Sequence, residues 1–429
     1  MSRTKLLVTS LGFFLGFAVI HHTSFAQFSS STYSSLGVGV FNNSGLTQNQ
    51  GMGGMGISFG NSYSVNHVNP AISVKNTAYS FQAALNYNQM SAATESSSEQ
   101  LDGGGLSYVA MSFPVIPRKF TMGLGLNQLT GVDYNITVNS PVTNTDLVAQ
   151  NIIEGRGGLS QVYLQGGFQV YKSLSLGLEG AYTFGSTIRT NQLDLLDTAM
   201  NGIGISSEYY ERLTFSDVTF KASIFYAQPL GDEKYLNLGA IYHMYGDING
   251  KEFAKMAESG QASIPNSPGD VLADNISGSI FLPNKIGYGV TYEKINKFAI
   301  GVEAQFQDFT DFRDFNASEG NLQNAFKLAL GGQYIPNAFS MESMLSRSTF
   351  RAGLEYERLP YLLNQNQIDD IGINFGTSIP VYSLSLLNVA VKVGTRGTVS
   401  DGLVRENYFK VSLGISINDN SWFYKKVFE

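Results

Sequence analysis

The sequence predicts an all-β protein, a 14-stranded antiparallel transmembrane β-barrel with an N-terminal plug, or hatch. Three observations lead there. Many segments of roughly ten residues alternate apolar with small or polar side chains, as barrel strands do. The joints between them are alternately brief and long, and the composition is rich in glycine and aromatics but poor in charge. Around Lys410–Asn418 every odd position from Phe409 to Ile417 is apolar, with Lys, Ser, Gly and Ser between. A strand turns successive side chains to opposite faces, so such a segment has one oily side and one wet side. There are 46 glycines, 23 Tyr and 29 Phe against one Trp, and 14% of residues are charged. That balance suits a membrane barrel better than a cytosolic enzyme. A net charge of −7 without a basic patch speaks against nucleic acid.

The chain opens with Arg3 and Lys5, an apolar run from Leu6 to Ile20, and Ser24-Phe25-Ala26. This is the pattern of a secretory signal peptide over 1–26, with Gln27 as the expected mature start. No later run reaches the ~18 apolar residues of a transmembrane helix. The absence of cysteine removes disulfides and a lipidated anchor. From 27 to 77 the chain is rich in Gly, Ser and Asn and has one charge, Lys75, yet it carries Val38, Val40, Phe41, Met52, Met55 and Ile57. It is expected to fold inside the barrel mouth, because irregular backbone at membrane depth is tolerated when protein surrounds it. Its Gly51-Met52-Gly53-Gly54-Met55-Gly56 run has the letters of a dinucleotide fingerprint, without the preceding strand or following acid that fold requires. No cofactor is expected.

The expected strands are 78–89, 105–114, 120–128, 161–171, 174–187, 217–228, 235–246, 285–294, 298–309, 326–335, 349–357, 370–380, 385–395 and 408–418. The barrel thus covers 78–418, and 419–429 forms a periplasmic C-terminal tail. Joints after even strands are brief, as at Lys172-Ser173 and Ile295-Asn296-Lys297, with Pro336–Ser348 the exception. Joints after odd strands are long: 90–104, 131–160, 188–216, 247–284, 311–325 and 358–369. Outer-membrane barrels sort tight periplasmic turns from extended outer loops in this way. By parity, Glu179, Lys221, Lys285, Glu293, Glu303, Lys327, Arg351, Glu355, Lys392 and Lys410 point into the lumen, as does His243. They form either a supporting network or substrate contacts. No nucleophile motif accompanies His67 or His243, so no catalytic residue is assigned. Asp308, Asp311 and Asp314 lack calcium-loop spacing and read as a solvated rim, so no metal is assigned.

Taken together, these residues resemble the long-chain fatty-acid outer-membrane transporter family, FadL-like, in a divergent branch. The glycine run with Gly53 and Gly54, then Asn69-Pro70-Ala71 before the first strand, resembles that family's hatch. Pro283 followed by Lys285–Tyr292 resembles its P-x-x-x-G-x-G-x-x-Y strand, and Arg351–Tyr356 its R-x-G-x-E-Y strand. The Asp308–Phe312 stretch and the C-terminal block from Glu406 are similar as well, although Trp422–Glu429 extends past the last strand.

The resemblance implies passive uptake of hydrophobic small molecules such as long-chain fatty acids across the outer membrane of a Gram-negative bacterium. Outer-membrane lipids and a hydrophobic ligand would be the partners. It implies a capture groove between the third and fourth outer loops. Leu193, Leu196 and Met200 make the first of these greasy, and Phe253 and Met256 sit on a helix-like run in the second. It also implies a lateral gap from a kink in the third strand, for which Gly123 and Gly125 are the candidates. The alternative within the family is a structural or adaptor barrel, bound through its loops or tail to protein-secretion or cell-surface machinery.

Overall fold

The computed structural model describes residues 31–420 apart from 43, 198–200, 265, 316–321 and 383. The expected signal peptide and mature start, Met200, and residues 421–429 of the expected tail lie outside the described residues.

In chain order the strands are β1 (Val40–Phe41), β2 (Tyr79–Ala93), β3 (Ser98–Ile116), β4 (Phe120–Gln128), β5 (Thr130–Pro141), β6 (Leu147–Tyr171), β7 (Leu174–Asp197), β8 (Gly202–Gly231) and β9 (Lys234–Met244). They continue as β10 (Gly246–Ala257), β11 (Asp270–Leu282), β12 (Lys285–Lys294), β13 (Phe298–Gln307), β14 (Ala325–Tyr334), β15 (Thr349–Leu363), β16 (Asn366–Tyr382), β17 (Ser385–Arg396) and β18 (Arg405–Asp419). Two one-turn helices, α1 (Thr47–Gln50) and α2 (Met344–Arg347), complete the regular structure with a few 3₁₀ turns.

Fourteen of the strands form the wall in the order β2-β3-β4-β6-β7-β8-β9, then β12 through β18, every pair antiparallel. The ring closes where β18 pairs with β2 from Arg405↔Ala93 to Asp419↔Tyr79. Around the inner half of the ring, closure leaves no free sheet edge, which is what a wall in lipid needs. Sidedness follows the sequence: Leu413 and Ile417 are about half exposed on the outside, whereas Ser412 and Ser416 are buried inside. The inward ionic residues fit the same parity, and Glu179, Lys221, Glu303, Lys327, Arg351 and Glu355 are all buried. At mid-depth on the lipid side such a charge would cost ~2–4 kcal/mol.

The brief joints are tight turns. Asp232 and Glu233 both take positive φ (46° and 61°), the pattern of a two-residue hairpin whose twist matches its strands.

Five of the six expected long loops are instead largely strand: 90–104 is mostly the outer ends of β2 and β3, and 358–369 those of β15 and β16. The segment 131–160 contains β5 and the outer half of β6, 188–216 the outer halves of β7 and β8, and 247–284 the β10–β11 hairpin. The reason is physical: beyond the lipid no outward face need be oily, so the period-two signal fades while the hydrogen-bonded ladder continues. The helix-like run carrying Phe253 and Met256 is likewise corrected to strand. β10 pairs with β8 on one edge and β11 on the other, and two ladders outweigh the helical preference of Lys, Ala and Met.

The segment 31–77 touches inward side chains around the ring: Tyr108 of β3, Gln165 of β6, Ser223 of β8, Glu303 of β13 and Ser412 of β18. A segment in contact with opposite inner walls of a closed ring runs within it. It starts at the long-loop rim, where Ser31 meets Glu406, and ends at the short-turn rim, where Lys75 meets Glu293 at 2.9 Å.

Candidate functional site

Inside the ring, the N-terminal segment is held mainly through its backbone. Asn69 caps the 3₁₀ turn Pro70–Lys75 by accepting from Ala71 N at 3.0 Å, and its amide donates to the carbonyls of Ile57 (2.6 Å) and Ile224 (3.2 Å). Ala71 N also donates to Ser223 Oγ at 3.0 Å, while Pro70 supplies a residue without an N–H at the first turn. Gly53 and Gly54 both adopt positive φ (72° and 80°), which turns the chain after α1 at little steric cost. Across from them the wall residue Gly353 has no room for a Cβ, because the backbone of Met52 and Gly53 occupies that space. Gly53 thus lies against β14 and β15, and Asn69, Pro70 and Ala71 against β7 and β8.

Inward charges carry much of this attachment. Glu303 accepts from Gly56 N and Ser58 N, each at 2.8 Å, and from Ser58 Oγ at 3.0 Å. Lys221 donates to the His67 carbonyl at 3.0 Å and to Glu179 at 2.9 Å. Nearer the long-loop rim a chain of ion pairs crosses five strands. Lys327 and Lys392 meet Glu355, Lys392 and Arg396 meet Asp370 (3.6 and 2.8 Å), and Arg396 reaches Glu406 at 3.5 Å. Glu406 then accepts from Thr32 N and Thr32 Oγ1, both at 2.7 Å, and from Ser31 Oγ. Burial, with the Glu406 charge adding to it, pushes the Tyr33 hydroxyl up to about 12, so it stays a donor to the Val404 carbonyl.

A cavity of about 110 Å³ lies between this network and the N-terminal segment, lined among others by Phe41, Gln50, Gly104, Asp370, Lys392 and Lys410. Lys410 has no carboxylate within 4 Å among the described residues, and its ammonium sits 4.9 Å from the Tyr408 ring centre. A second cavity of about 70 Å³ is bounded by His67, Lys221, His243 and Tyr245.

The wall beside the larger cavity is split. β3 pairs with β4 only from Tyr108 to Ile116, and its outer half, Ser98–Leu106, pairs with β2 alone. β5, the next strand along the rim, pairs with β6 and β1 and not with β3. β6 exchanges β4 for β5 at Gly157-Gly158, whose φ values of 116° and 138° only glycine adopts readily. The split is thus not at Gly123 and Gly125. β4 holds nine consecutive pairs with β6 and does not kink; those glycines make room for the inward side chains of Gln165 and Tyr163. Gly103–Gly105 and Gly157-Gly158 were the available signal, since glycine inside a strand pattern marks a bend.

The expected groove residues are dispersed. Leu193 and Met256 share one face of the β7–β8–β10 extension, through Ser207 and Tyr209, and both are exposed. Phe253 lies on the opposite face against Tyr210 (ring centres 6.3 Å), and Leu196 is buried. What sequence reasoning missed is an aromatic cap at the long-loop rim. Phe309, Phe312 and Phe315 turn inward onto Phe215, Ile248, Ile280 and Leu282, while Asp308 and Asp311 stay exposed. The period of three in Phe-x-x-Phe-x-x-Phe was its only trace.

The fold is similar to that of several solved proteins. A FadL homologue from Pseudomonas aeruginosa aligns with a TM-score of 0.57 at 16% identity, over 89% of this chain and 98% of that one. The toluene transporter TbuX of Ralstonia pickettii gives 0.57 at 13%, over 88% and 100%. The toluene transporter TodX of Pseudomonas putida gives 0.55 at 14%, over 92% and 100%. At these identities the likeness is one of fold. No curated protein matches the sequence. A family model described as BamG matches residues 9–429.

Proposed function

This chain belongs to the BamG family, and on that footing we propose that it is an outer-membrane barrel through which hydrophobic small molecules pass by a side opening rather than along an axial pore. The observation that carries this reading is the free edge of the outer half of β3, paired with β2 on one side only, beside a luminal cavity. Segment 31–77 acts as the plug, closing the axial path for water. A greasy solute entering from the long-loop side would leave where β3 parts from β4, at the outer margin of the lipid, never crossing the aqueous space below. The solved channels of similar fold, described as toluene transporters and a FadL homologue, support a hydrophobic cargo class.

Within that class, long-chain fatty acids are the proposed substrates. The cavity combines Phe41 and Val40 with the ammonium of Lys410, an apolar body and a cationic end suited to an acyl chain and its carboxylate. The test is accumulation of a labelled long-chain fatty acid by cells with and without the protein. Uptake that falls on deletion and returns with the gene on a plasmid is expected; equal uptake would refute the reading. A structural or adaptor barrel is the second reading. It is favoured by the small free volume, about 110 Å³ against the roughly 300–1,000 Å³ of ordinary ligand pockets. Equal uptake together with stoichiometric co-purification of another protein would select it.

A further inference from the structure

Arg351 stands apart from the ion pairs of the inner wall. It is 6% exposed, and no carboxylate lies within 4 Å of it among the described residues. Its Nη1 donates to Ser378 Oγ at 2.6 Å, and that hydroxyl donates on to Asn388 Oδ1 at 2.5 Å. Both of these groups are neutral. Its cross-strand neighbours, Gln333 on β14 and Gly376 on β16, bring no charge either. The next inward acid on β15 is Glu355, four residues along and about 13 Å away, where Lys327 and Lys392 share it. Glu293 lies level with Arg351 three strands off, about 14 Å along the wall. Lys75 at 2.9 Å and Asn237 at 2.6 Å already hold it. A guanidinium cannot shed its proton, so burial does not discharge it as it can a lysine. A charge so placed calls for a counter-ion.

The Arg351 side chain borders a cavity of about 10 Å³ between β15 and the N-terminal segment, walled by Met52, Phe59 and Val65. Ser64 lines the same cavity, and its buried hydroxyl has no hydrogen-bond partner. A cationic fork, an orphaned hydroxyl and apolar walls make a site for an anion. The space admits about one sphere of water size. That excludes phosphate and carboxylates and suits a monatomic halide. We propose that Arg351 and Ser64 bind a chloride ion that fastens the N-terminal segment to β15. The arrangement reverses the one at Glu303, where the wall supplies the anion and the segment supplies the donors. Here the wall supplies the cation and the solvent supplies the anion. The site is separate from the Lys410 cavity and works the same way whatever cargo the barrel carries.

Bromide reports the site directly, since it replaces chloride and scatters anomalously. Crystals of the full-length protein grown in bromide should show an anomalous peak against the Arg351 guanidinium, and Arg351→Met should lack it. In detergent at constant ionic strength, replacing gluconate with chloride should slow hydrogen exchange of the amides of 60–66. The slowing should reach about tenfold when chloride is ten times its dissociation constant. Ladder amides of β14–β16 should exchange alike in both salts, and Arg351→Met should remove the chloride effect on 60–66. No bromide peak at the guanidinium overturns the proposal, as does equal exchange of 60–66 in chloride and gluconate. So does a chloride effect that survives Arg351→Met, or protection by phosphate equal to that by chloride.

Discussion

Replacing Glu303 with alanine separates the N-terminal segment from the wall without touching the wall itself. Glu303 is 2% exposed and is the acceptor for two backbone amides, Gly56 and Ser58, at 2.8 Å each. The Ser58 hydroxyl retains Thr291 Oγ1 at 2.7 Å, so the loss falls on the amides. A buried N–H left without a partner costs about 1–3 kcal/mol, giving about 2–6 kcal/mol for the pair. Displacing the segment returns both amides to water. At 1.36 kcal/mol per tenfold, the displaced population should rise by between about thirty-fold and about twenty-five-thousand-fold. Hydrogen exchange of the full-length protein reads this directly: amides across 47–75 should exchange faster, while those of β12–β14 keep their protection because no ladder bond is lost. Glu303→Gln keeps an acceptor oxygen and should fall between. Unchanged protection across 47–75, or loss of protection in wall and segment together, would refute the reasoning.

Gly353→Val places a side chain where the Met52 and Gly53 backbone lies, so limited proteolysis should newly cut within 47–75 while the barrel resists heat as before. Lys410→Met removes the cation at the cavity; loss of a charge-assisted bond of about 1.5–3 kcal/mol should raise the half-saturating fatty-acid concentration about ten- to hundredfold. Uptake of an uncharged hydrocarbon should not change, and an equal effect on both would assign Lys410 a structural role. Phe215→Ala empties the centre of the aromatic cap, where its ring centre lies 6.2 Å from that of Phe315, and should lower thermal stability by about 3–5 kcal/mol. A shift below about 1 kcal/mol, small for a core truncation, would mean the cap is loosely packed.

Legibility tracked the presence of lipid. The bounds of β4 (Phe120–Gln128) and β12 (Lys285–Lys294) coincide with the expected spans, and Glu179, Lys221 and Glu303 point inward as parity requires. There the solvent on one side is hydrocarbon and the other is wet, so each residue type reports its face. Past the lipid that contrast vanishes. β5, β10 and β11 were accordingly read as loop, and Phe253 was placed on a helix-like run that two neighbouring ladders hold extended. The groove residues failed for a related reason: Leu193 and Phe253 were grouped by greasiness, while pairing with β8 puts them on opposite faces.

Strand number, sidedness and the inward ionic residues were determined by the sequence alone, because period-two alternation is a local property that each segment carries by itself. Which strand leaves its neighbour unpaired, which carboxylate holds which backbone amide, and where Phe309, Phe312 and Phe315 turn were decided by the tertiary structure. Those features depend on residues such as Gly56 and Glu303, 247 positions apart, meeting across a closed ring, and no local pattern records a meeting of that kind.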